Sequence, residues 1–179
     1  MQPWFFACLA AAWAHGASCS MAAEPDLPGK TAETIAIRRG ELAVLLRDNT
    51  RSPKVALSGV DSLIHVTAAG DYDAFDPDAV GASAGLNFEH VISGHPHQAN
   101  SFTPRSGRYE LHGLADGAAA VLVRRAEDDP WALSSTFKYT VRAPHYIDFE
   151  FQCQAHRPEL FGRHGYAVLF FADYMNDVA

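Results

Sequence analysis

The chain has 179 residues, with 14 Lys and Arg against 21 Asp and Glu and a formal net charge of -7. That length allows one ordinary domain, and 48% hydrophobic with 20% charged residues excludes wholesale disorder. The acidic balance argues for no nucleic acid among the partners, because counterion release requires a basic face.

The chain opens on an address. Trp4 to Ala14 read WFFACLAAAWA, an apolar run of 11 residues, where a spanning helix needs ~20. The run fits the core of a secretory signal peptide, with Ser20 and Ala22 as the small residues before cleavage at Ala23. A lipoprotein signal at Cys19 and an uncleaved anchor are the alternatives. The expected organisation is a signal peptide over 1–22, a polar leader over 23–34 and a β domain over 35–179. The expected location is secreted or periplasmic, with no stable membrane span after cleavage.

Thr31–Arg38 is predicted as a short helix. Strands are predicted at Leu42–Arg47, Ser62–Thr67, Leu86–Ile92, Arg108–Leu114, Ala118–Arg125 and Leu133–Arg142. Turn signals separate them: Asn49–Pro53, Ala115-Asp116-Gly117, Glu127–Pro130 and Ala143-Pro144. The strongest pattern is Tyr146–Gln154, where Ile147, Phe149, Phe151 and Cys153 alternate with Asp148, Glu150, Gln152 and Gln154. In a strand the two sets lie on opposite faces, whereas a helix scatters them round the cylinder. Burying each large apolar side chain is worth about 1.5–3 kcal/mol, which favours the strand.

Tyr166–Ala172 is apolar on both faces, as suits a central strand with partners on either side. The chain stops soon after it, so a domain incomplete at its C-terminus is an expectation too. Short connections imply antiparallel neighbours. The expected fold class is therefore all-β, an antiparallel β-sandwich of supersandwich or jelly-roll type.

Cys8 and Cys19 fall in the signal region, which leaves Cys153 alone in the mature chain. A lone thiol forms no internal disulfide, and its apolar register marks it as a buried core thiol. The densest polar cluster runs Asn87-Phe88-Glu89-His90, then Ser93-Gly94-His95-Pro96-His97 and Asn100. His95 and His97 project to one side of an extended segment, a geometry zinc sites use, with His90 or Glu89 as a third ligand. A ligand-facing polar loop and a solvated loop are the competing readings. The run DYDAFDPD clusters Asp71, Asp73, Asp76 and Asp78, but Asp76 stands where an EF-hand loop needs glycine. A solvated acidic loop and a calcium site are the competing readings. Asp148 and Glu150 resemble a glycosidase pair, yet alternation already explains them as a polar face.

The segments GLNFEH (85–90), DDPW (128–131), HYIDFEF (145–151) and ADYMND (172–177) resemble those of uncharacterised secreted proteins of environmental bacteria. That family implies no activity. A looser resemblance is to the galactose-mutarotase-like supersandwich of carbohydrate-active proteins, which implies a sandwich fold. Its catalytic His, in a His-aromatic-Asn context, has no counterpart here, so no catalytic residue is carried over.

Two functions follow as expectations. In one, a carbohydrate or similar polar ligand binds to His90, His95, His97, Asn100 and Arg105, with Trp131 and Tyr174 stacking on it. In the other, a non-catalytic module packs against another domain or protein. The residues assign no cofactor and leave open whether the chain is an enzyme.

Overall fold

Alternation along the chain becomes, among the described residues, nine strands in two antiparallel sheets. The computed structural model describes Leu27 and residues 31–48, 58–68, 72–75, 85–93, 109–129, 132–157, 159–160 and 167–174, of which 85–93 and 167–174 are described for backbone alone. The first sheet has the order β1-β2-β3-β4-β9, from Thr34–Arg39, Leu42–Arg47, Gly59–His65, Gly85–Ser93 and Ala167–Tyr174. The second is a meander of β5 (Glu110–Gly113), β6 (Ala119–Arg124), β7 (Leu133–Arg142) and β8 (Tyr146–Ala155). The chain thus leaves the first sheet after β4, completes the second, and returns with β9 beside β4.

One apolar core joins the sheets. Ile37, Leu42, Val44, Leu46 and Val60 of the first meet Leu111, Ala120, Leu122, Leu133, Phe137, Tyr139 and Val141 of the second. Phe137 sits centrally, with ring centroids 5.4 Å from Tyr109 in an edge-on contact and 5.0 Å from Phe151. Phe75 closes the core from the Tyr72–Phe75 segment, which runs along β3 through Ala74 N–H donating to Leu63 O. Asp73 holds that segment, accepting the Leu63 and Phe75 N–H groups and the Ser62 hydroxyl. At this position the acidic run is a backbone clasp; Asp71, Asp76 and Asp78 lie outside the described residues.

The expected all-β, antiparallel architecture is present, and Leu42–Arg47 and Leu133–Arg142 have their expected ends. The strand expected at Ser62–Thr67 is found at Gly59–His65, and three further details differ. Residues 34–39 are strand β1, not a helix: Ile35 and Ile37 turn to the core while Ala36 and Arg38 are exposed, and all six residues pair with β2. β-Branched side chains two apart suit that pleat better than a helix. β9 ends the order of its sheet and pairs with β4 alone among the described strands, so its apolar sequence is that of an end strand. Cys153 is exposed. Ile147, Phe149 and Phe151 pack against the core as expected, but β8 is an end strand of its sheet with β7 as its one described neighbour, and Cys153 is left exposed there.

The thiol is nevertheless poorly solvated. Burial around Cys153, reinforced by the Asp129 carboxylate and opposed by Arg124, pushes its pKa up to about 11. An ordinary thiol has a pKa of ~8.5 and is roughly a quarter thiolate at about pH 8. Alkylation of folded Cys153 by iodoacetamide is therefore expected to run at least ~10-fold slower there than in denaturant. Mass spectrometry measures it, and equal rates in both states would contradict the shift.

A charged pair is buried beside the core at the end of β6. Arg124, Ser135 and Cys153 lie in register across β6, β7 and β8. Buried Arg124 lies 3.2 Å from the Asp129 carboxylate and 5.5 Å over the Tyr109 ring, and it donates to Asp128 O. A 3₁₀ turn at Ala126–Asp128 delivers Asp129 to that position. The polar face of β8 is paired as well: Asp148 with Arg142 and Glu150 with Lys138. Those cross-strand ion pairs account for the two carboxylates without catalysis.

Candidate metal centre

At the opposite end of β7, three side chains from three turns and strand ends converge. Glu41 follows Gly40 in the β1–β2 turn, His65 ends β3, and His145 lies in the β7–β8 turn of the second sheet. Pairing of Leu42 with His65 sets His65 beside the start of β2. The Glu41 backbone is clasped from both sides: its N–H donates to Pro144 O at 2.7 Å, and its carbonyl accepts from Val66 N–H at 2.8 Å. The first bond ties one sheet to the other directly at the site.

Gly40 makes that approach possible. Its φ is +58°, and a Cβ there would stand 2.4 Å from Pro144 O and 3.0 Å from Ala143 Cα. Only glycine takes this conformation and this contact without strain.

The Glu41 Oε2 atom lies 3.1 Å from His65 Nε2 and 3.2 Å from His145 Nδ1. All three donor atoms fall within 4.8 Å of one another. Zinc binds imidazole nitrogen and carboxylate oxygen at about 2.0–2.2 Å, so neighbouring ligands of a tetrahedral ion stand ~3.3–3.5 Å apart. Both Glu41–His edges are already near that length, and the remaining edge between the imidazoles needs at most a modest rotation of exposed rings. Two imidazoles and one carboxylate form a donor set suited to zinc and neighbouring divalent transition metals.

The surroundings orient the rings. Thr67 Oγ1 is 3.2 Å from His65 Nδ1, and a hydroxyl serves either tautomer: it donates to a bare Nδ1 or accepts from Nδ1–H. With Nδ1–H engaged, the Nε2 lone pair faces the metal position, the usual outer-shell device at ligating histidines. The His145 ring lies against Tyr146 in a tilted contact, with centroids 4.8 Å apart. Side-chain exposures are 39% for Glu41, 40% for His65 and 48% for His145, so solvent reaches the site.

The residues singled out in the sequence fall elsewhere. His95, His97, Asn100, Arg105 and Trp131 lie outside the described residues. His90 pairs with Phe170 and Tyr174 with Gly85, either side of a bulge in the β4–β9 ladder. About 15 Å of strand separates the two positions, so this register does not bring them together. Glu41, His65 and His145 carry no local signal, since they stand far apart in sequence and no motif spacing links them. Antiparallel pairing and the contact between two turns are what assemble them.

No protein-family model matches the chain, and no curated protein or solved structure does either. Among the described residues, no helix is long and apolar enough to cross a membrane.

Proposed function

We propose that this chain is an exported β-sandwich domain that binds a divalent transition-metal ion, zinc foremost, through Glu41, His65 and His145. The observation that carries the reading is one carboxylate oxygen within 3.2 Å of two histidine nitrogens supplied by different sheets. Backbone bonds from Glu41 to Pro144 and Val66 hold the donors' segments together, so the site is built by the fold before any ion arrives. Export follows from the short apolar run and the small residues behind it. Carbohydrate binding at His90–Arg105 is the weaker proposal, because its main residues lie outside the described structure whereas the three metal donors converge.

Isothermal titration calorimetry tests the assignment. Wild-type protein is expected to take one Zn²⁺ per chain. Loss of an outer-shell partner costs about 10–100-fold in metal affinity, so Glu41→Gln, His65→Ala and His145→Ala should each cost about 100-fold or more. His95→Ala and His97→Ala serve as controls and should leave affinity unchanged. Zinc affinity that follows His95 and His97, and ignores Glu41, would overturn the assignment.

A further inference from the structure

We infer that the ion held by Glu41, His65 and His145 keeps one coordination position open to solvent and there takes an oxygen-donor anion, a carboxylate in the first instance. This deepens the metal reading and rests on it. Structural zinc sites complete four protein ligands, whereas three protein donors leave a position for water or an exogenous ligand. Here three donors converge among the described residues, and each keeps about two-fifths or more of its side chain exposed. A buried four-ligand cage is the opposite arrangement.

Charge selects the ligand. A divalent ion, one carboxylate and two neutral imidazoles leave a net charge of about +1 at the centre, which favours a monoanion over a neutral donor. Among the described residues, the charges next to these elements are mostly basic or already paired. Arg38 and Arg39, both exposed, end β1 directly before Gly40, and Asp148, across from the β7 end, is engaged by Arg142. Tyr146, 56% exposed and in tilted contact with His145, supplies an aromatic flank for the apolar part of a carboxylate ligand. The site therefore joins a hard-anion position to a small stacking surface.

Cobalt-substituted full-length protein separates this inference from the reading beneath it. Bound Co²⁺ should give visible absorption bands absent from the Glu41→Gln and His65→Ala variants. Titration with acetate should then change the position and intensity of those bands and saturate, while perchlorate at equal ionic strength should leave them unchanged. Bands that form but do not respond to acetate would overturn the open position and leave metal binding intact. If no protein-dependent bands form, the metal reading falls and this inference falls with it.

Discussion

Replacing Arg124 by alanine is expected to cost about 3–5 kcal/mol, the usual penalty for breaking a buried ion pair from one side. The guanidinium and the Asp129 carboxylate are each about 1% exposed and 3.2 Å apart. Removing the cation leaves a buried carboxylate without its counter-charge, and it also removes the group lying over the Tyr109 ring. Domain stabilities run about 5–15 kcal/mol, so the loss is a large share of the total. Denaturant unfolding measures the loss. The companion double variant Arg124→Met/Asp129→Leu should recover most of it, since apolar replacement of a whole buried pair is often neutral or stabilising. A single-variant loss below ~1 kcal/mol would show the pair to be solvated in the native state.

Gly40→Ala should be almost as damaging, and through a different cause. An alanine at φ +58° pays left-handed strain of about 1–2 kcal/mol. Its Cβ also meets backbone atoms of the β7–β8 turn, which cannot rotate away as a flexible side chain does. Forced separation of packed elements adds about 1–3 kcal/mol. The displaced turn carries His145, so zinc affinity should fall together with stability, although no ligand has been altered. Calorimetric zinc titration and thermal unfolding of the one variant test both halves. Unchanged stability would refute the close approach, and unchanged zinc affinity would refute its part in placing His145.

Strand pattern was legible where one face is buried along the whole element. β7 alternates from Leu133 to Val141 and has the expected ends because every inward residue reaches the core. β8 carries the same rhythm, but alternation assigns a face and not the cover over it: β8 ends its sheet among the described strands, so Cys153 stays partly open. In β1 the Ala, Glu and Ile spacing also fits a helical turn, and the deciding term is non-local pairing with β2. Arg124 reads as the polar end of a strand, and its burial depends on Asp129 arriving from the following 3₁₀ turn. The metal centre was illegible for the same reason. Glu41, His65 and His145 stand far apart in sequence, and no spacing rule links a β1–β2 turn, a strand end and a β7–β8 turn. Local motifs drew attention instead to His95 and His97, which are close in sequence.

Zinc K-edge X-ray absorption on protein carrying one equivalent of Zn²⁺ tests the central claim most directly. The expected first shell contains nitrogen and oxygen at about 2.0–2.2 Å, with the outer-shell scattering of two imidazoles, and it should be lost in the His65→Ala/His145→Ala variant. A sulfur shell at about 2.3 Å, or a spectrum unchanged when both histidines are removed, would contradict the account.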